Sequence, residues 1–262
     1  MAFLKSDFEF TGSIGNVSAY KLPGVDGTVL RTKGGADRKK ILAATSCKLT
    51  RQNAAEYGEC GKMGGSIRRS MLPMIPLADH NFVSNLNALA KIIQLLDTEG
   101  NRGERSIALS TRKEYLRGFS LNKNTSFESI IRHPIEYQID RGAGKAVVLL
   151  PELMPGVNLM TSRQYPLFRF LVNLGCVADR TFGTKYYLTE EDMESCCFYT
   201  GWHHTQALFE ASEVLVELKD PSAIRDTTTL ILSVGIQMGS PVSDLVVNPA
   251  KHGGCAKIIG VG

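Results

Sequence analysis

The sequence predicts an α+β protein: an N-terminal β-hairpin plus a helical pair, followed by an antiparallel β-sandwich immunoglobulin-like in size. Three observations carry that expectation. Apolar and polar residues alternate over residues 8–33, apolar residues recur at helical spacing over 50–96, and beyond residue 135 the period returns to two between turn-forming clusters. The expected divisions are a hairpin arm (1–35), a helical domain (36–133) and the sandwich (134–262).

In the arm, Phe8, Phe10, Ile14, Tyr20 and Leu22 fall on one face, because successive strand side chains point to opposite sides. Pro23-Gly24 and Asp26-Gly27 preset or tolerate the dihedrals of a reversal, and residues 28–33 return as the second strand. The apolar face is interrupted at Gly12, Asn16 and Ser18, and the return strand adds Val29 and Leu30 as its large apolar residues. A lone hairpin is marginal in water, and a glycine-rich, polar ladder fixes its register weakly. The hairpin is therefore expected to dock, on the body of the chain or on a second copy by strand addition, an N-terminal arm being sterically free to be exchanged. The residues expected at that interface are Phe8, Phe10, Ile14, Asn16, Ser18, Tyr20, Val29, Arg31 and Lys33.

Charge is uneven. Residues 1–140 hold 20 Lys and Arg against 14 Asp and Glu, whereas 141–262 hold 10 against 12. The most basic stretch carries Arg38, Lys39, Lys40, Lys48 and Arg51 with Asp37 opposing. It suits a phosphate backbone electrostatically, but no aromatic residue lies between Tyr20 and Tyr57 to stack on bases, so a solvated face or subunit contact is the preferred reading.

Residues 50–72 place Ala54, Tyr57, Met63, Ile67 and Met71 near helical spacing, with glycines at 58, 61, 64 and 65 that suit close helix packing. Gly61-Lys62-Met63 lacks the Ser or Thr of a phosphate loop. Pro73 and Pro76 break the chain, Asp79 reads as an N-cap, and Phe82, Leu86, Leu89, Ile93 and Leu96 form the stripe of a second helix. A short helix is expected over 126–132, and Pro134 marks the boundary. Residues 135–140 and 145–150 then flank Arg141-Gly142-Ala143-Gly144 as a hairpin, and strands follow at 167–177, 185–188, 196–203, 212–218, 228–237 and 255–261. The Cys, Trp, Cys spacing of true immunoglobulin domains is missing.

No credible catalytic set emerges. Trp202-His203-His204 invites a metal or carbohydrate reading, but adjacent strand histidines point to opposite faces and cannot easily hold one ion. Glu190, Glu191, Asp192 and Glu194 read as a helix first turn or exposed loop, and Ser110, Ser120 and Ser240 lie in no Gly-x-Ser-x-Gly elbow. The six cysteines include no C-x-x-C pair and read as free thiols, Cys196 and Cys197 as buried small side chains. No signal peptide and no apolar run near the ~18 residues of a membrane span is found, so the cytoplasm is the default compartment, with signal-independent export left open.

The motifs Phe10-x-Gly12-x-x-Gly15-Asn16-x-Ser18-x-Tyr20, Gly27-Thr28-x-x-Arg31-x-Lys33-Gly34-Gly35, Leu77-Ala78-Asp79-His80-Asn81 and Gly118-Phe119-Ser120-Leu121-Asn122-Lys123 resemble those of an uncharacterised bacterial protein family of unknown function. The resemblance implies no catalytic residue, and motifs built of glycines and amides suit a scaffold. The expected function is a non-enzymatic structural protein that self-assembles, as homo-oligomer or filament, through its hairpin. The alternative is a binding module that engages glycan or nucleic acid through the sandwich loops around Trp202 or the basic 31–51 segment. Neither reading calls for a cofactor or a metal.

Overall fold

A first small sheet comprises Ala2–Leu4 (β1), Gly12–Ile14 (β2), Val17–Lys21 (β3) and Thr28–Thr32 (β4), antiparallel in the order β1-β4-β3-β2. The computed structural model describes residues 2–4, 10–22, 26–161, 164–188, 194–243 and 245–262. The chain divides into two compact units, Met1–Arg51 and Gln52–Gly262.

The expected hairpin is present as β3 and β4, registered from Val17 against Thr32 to Lys21 against Thr28. Its first arm is itself folded back: Gly15, at φ +54°, and Asn16 reverse the chain between Ile14 and Val17, which face each other. Of the arm's interruptions Asn16 thus marks a turn, because a two-residue reversal needs residues that accept positive φ, whereas Gly12 lies in β2 and Ser18 in β3. The helix Arg38–Ala43 (α1) follows, with Asp37 accepting from the Lys40 N–H at 2.7 Å. Arg51 closes its other end by donating to the carbonyls of Ile41 and Ala44 at 2.7 and 2.8 Å. α1 buries none of its residues.

The second unit is organised on a sheet of Leu167–Ala178 (β7), Ser195–Tyr199 (β10), Thr228–Pro241 (β13) and Val247–Val261 (β14), in the order β10-β7-β13-β14. Ahead of it in the chain come Lys48–Ser70 (α2), Val83–Leu95 (α3), Phe127–Ile130 (α4), Glu136–Asp140 (β5) and Lys145–Leu150 (β6). Thr181–Phe182 (β8) pairs with Tyr187–Leu188 (β9), His203–His204 (β11) joins the edge of β7, and Ser212–Glu217 (β12) completes a second sheet, β12-β6-β5.

β7 and β13 are covered on both faces, which is why their sequences, LFRFLVNLGCVA and TTLILSVGIQMG, run almost continuously apolar where a half-exposed strand would alternate. Phe168, Phe170, Val172 and Leu174 meet Val148, Val214 and Val216 of the smaller sheet. Leu171, Val177, Ile231, Ala256 and Ile258 meet Met63, Ile67, Leu86 and Ile93 of the helices. Residues on either side of Pro134 therefore share one core, because the helical pair has too little apolar surface to enclose itself and packs on the open sheet face.

Two polar details set this packing. Gly175 leaves room for the Ser70 carbonyl, only 2.3 Å from where a Cβ would stand, and the buried Asn173 amide donates to that carbonyl at 2.9 Å, satisfying the end of α2. Of the α2 glycines, Gly64 makes the expected close approach: an added Cβ would lie 2.1 Å from Asn87 Oδ1 on α3. Along α3 and its flanking residues, Phe82, Leu86 and Ile93 are core residues, while Leu96 is 40% exposed and Ala90 and Gln94 continue the buried stripe. No helix is long and apolar enough to cross a membrane among the described residues.

Candidate functional site

The residues expected at an assembly interface are gathered on the first sheet, Phe8 lying outside the described residues. Ile14 ends β2 with 63% of its surface exposed, and the whole of β2 is exposed. Asn16 is exposed in the turn, and its carbonyl accepts from the Lys33 N–H at 2.6 Å. Ser18 faces Ser13 with hydroxyl oxygens 2.9 Å apart, Phe10 and Tyr20 are half-buried, and Arg31 and Lys33 are exposed. Val29 departs from this set: it is wholly buried, so its side chain is not presented to a partner. β2 pairs with β3 along one edge, and its other edge has no strand against it among the described residues. Such an edge offers unpaired N–H and C=O groups in a row, the geometry that accepts another strand.

In the basic segment, Arg38, Lys39, Lys40 and Lys48 are exposed, whereas Arg51 is half-buried and holds the end of α1.

The two other quoted motifs meet each other. Asp79, expected to cap α3, instead accepts the N–H groups of Lys123 and Asn124 at 2.8 and 2.7 Å, and Asn81 accepts from Val83 N at the helix start. Burial pushes the Asp79 carboxyl up, but these two N–H donors and His80 outweigh it and hold the group below its usual range. Residues 118–121 lie along the outer edge of β14, with Gly118 N donating to Ile258 O and Leu121 N to Ala256 O at 2.9 and 3.0 Å. Asn122 then donates to Leu77 O at 2.8 Å and accepts from Ala256 N at 3.0 Å. This clamp shields a sheet edge; it presents no reactive group.

Around Trp202 the arrangement differs from simple loop packing. The Arg169 guanidinium carbon sits 4.7 Å from the Tyr199 ring centre and 4.6 Å from that of Trp202, and its Nε donates to Gln237 Oε1 at 2.9 Å. The indole can lie against β13 because residue 239 is glycine: a Cβ there would come within 2.7 Å of Trp202 Cη2. His203 turns the opposite way, with its ring 4.8 Å from Phe209 and 5.8 Å from Phe168, and burial lowers its pKa; His204 is exposed. Sequence reasoning singled out Trp202 and missed Arg169, although a lone arginine inside LFRFLVN was the visible signal.

Cys196 packs into the core between the sheets and Cys197 into the helix-side core, as neighbouring strand positions require. Burial pushes the Cys197 thiol up to about 11, away from nucleophilic reactivity. Glu194 accepts the N–H groups of Lys219 and Asp220, while residues 189–193 lie outside the described residues.

Glu56, Glu59, Lys91, Arg105 and Arg180 form a further charged cluster between α2, α3 and the segment around residue 105. Its members are bonded to one another: Arg180 Nε donates to Glu59 Oε2 at 2.7 Å, and Glu56 accepts from Lys91 and from Gly103 N. A cleft of about 580 Å³ opens beside it, lined by Asp97, Ser106, Arg112 and Phe182. The Asp97 carboxylate there is already held by the N–H groups of Glu99, Gly100 and Ser106.

Comparison of the chain with protein-family models, with curated proteins and with solved structures finds no match.

Proposed function

We propose that this is a non-enzymatic structural protein that associates with copies of itself through strand addition at the outer edge of β2. One observation carries the reading: within residues 10–22 and 26–51 of the first unit, Ala19 and Val29 are the only apolar side chains that are buried, yet the unit holds a four-stranded sheet with an exposed edge. A sheet with so small a core gains little from its own burial and gains most by extending its ladder. The closed edge of β14 in the second unit supports the contrast, since the chain covers one sheet edge and, among the described residues, leaves another bare.

The test is the mass distribution of the purified protein against concentration, by sedimentation or native mass spectrometry. Wild type should populate dimers or larger species, and Ile14→Lys, which sets a charge on the edge, should lower the associated fraction at least about tenfold. A wild type that remains monomeric, or a variant that associates as well as wild type, overturns the reading. A second reading, attraction of a nucleic acid to Arg38, Lys39, Lys40 and Lys48, rests on their shared exposure. It requires affinity that falls steeply with salt.

A further inference from the structure

Arg169 is the third residue of β7, half-buried on the face opposite to that of its neighbours Phe168 and Phe170. Among the described residues no acid lies within ion-pair distance of it. Its guanidinium carbon lies 4.7 Å from the Tyr199 ring centre and 4.6 Å from that of Trp202, and Nε is taken by Gln237, which is itself buried. What remains is the edge carrying Nη1 and Nη2, whose N–H groups meet no protein acceptor among the described residues.

We propose that Arg169 is the receptor for a ligand carboxylate, bound through Nη1 and Nη2 beside the Tyr199 and Trp202 rings. The geometry selects the ligand class. With Nε engaged, the guanidinium offers the planar fork of Nη1 and Nη2, and a carboxylate matches that fork with two parallel hydrogen bonds. A single cation also suits a single negative charge.

The site is held in readiness from several directions. Gln237 fixes the rotation of the guanidinium, and Gly239 makes the space in which the indole lies. The position on the sheet matters too. The helical layer reaches the rung of Gly235 and Leu171, where Leu77 and Met74 approach, and the next rung on that face is Gln237 with Arg169. The stack therefore stands just past the limit of that layer, with Tyr199 still 42% exposed.

Trp202 is the only tryptophan in the sequence, so its emission reports directly on the stack. Titration with glucuronate and with N-acetylglycine, against sodium chloride at matched ionic strength, should give a saturable change with at least one carboxylate and none with chloride. Arg169→Lys keeps the charge but loses the fork and should weaken binding about tenfold; Gly239→Ala, which displaces the indole, should weaken it as well. Thermal melts establish that each variant is folded, and Tyr199→Leu serves in place of either one that is not. Preference for glucuronate assigns a sugar acid, preference for N-acetylglycine a peptide terminus, and equal binding a general carboxylate site. Emission that ignores both carboxylates, or that responds to them equally in wild type and a folded Arg169→Lys, overturns the proposal.

Discussion

The two units of this chain handle a β-sheet in opposite ways. In the second, β7 and β13 bury both faces, one under the smaller sheet and one under the helices, and residues 118–121 close the edge of β14. In the first, residues 10–22 and 26–51 bury Ala19 and Val29 as their apolar side chains, Thr28 is buried with no partner for its hydroxyl among the described residues, and the edge strand β2 is exposed throughout. Stability grows with apolar area removed from water, so the second unit holds the cooperative core and the first has surface left to bury. Unsatisfied sheet edges are where chains meet other chains, and this protein keeps its bare edge on the unit with the least core.

The comparison breaks most readily at Phe170, which is wholly buried in the core between the sheets with its ring 5.9 Å from Phe168 and 5.4 Å from Phe209. Phe170→Ala should cost about 3 to 5 kcal/mol and shift the main denaturant transition accordingly. Val29→Ala, the matching truncation in the first unit, should leave that transition nearly where it was. Equal shifts from the two variants would mean that the units do not differ in the way described.

A somewhat smaller effect is expected at the buried ion pair. Glu59 and Arg180 each keep 9% of side-chain exposure, and their contact ties α2 to the segment entering β8. Glu59→Gln leaves Arg180 charged without its partner and should destabilise the second unit by about 3 kcal/mol. Replacing both, as Glu59→Leu with Arg180→Met, should recover most of that loss, because desolvation of two charges offsets much of what their attraction contributes. If the double variant is no better than the single one, the pair is a net stabiliser and the core around it depends on charge.

Most of the β architecture was legible in the sequence because strand period and turn chemistry are local: the hairpin of β5 and β6 and the runs that became β7, β12 and β13 all stand near their expected places. What was not legible depended on contacts between distant residues. Asp79 has the spacing of a cap, but the N–H groups it serves belong to Lys123 and Asn124, 44 and 45 residues away. The single first arm became β2 and β3 because Gly15-Asn16 reverses the chain, a choice the apolar alternation on either side conceals. In the candidate interface, exposure separated Ile14 from Val29 although both are β-branched and strand-forming. Arg169 escaped notice because its partners come from two other stretches of chain, Tyr199 and Trp202 from one and Gln237 from another.

The smallest of these effects sharpens the comparison through pH. Burial raises the Asp97 carboxyl, but the N–H groups of Gly100, Ser106 and Glu99, with the charge of Arg105, outweigh it and hold the group below its ordinary value of 3.8. A depressed carboxylate stabilises the fold above its unfolded pKa and loses that contribution as pH falls through the lower folded value. Asp97→Asn should therefore cost about 1 kcal/mol near neutrality, where the anion accepts three N–H groups, and progressively less below pH 3.8. Asp179 runs the other way: burial raises its pKa despite bonds from Ser110, so its ionisation opposes folding as pH rises through the folded value. Stability measured against pH for wild type and Asp97→Asn should converge on acidification. A constant gap across that range would assign the Asp97 contribution to shape instead of charge. All of these groups lie in the second unit, so association through β2 should keep its concentration dependence over the same pH range if the edge, and not the core, is what copies share.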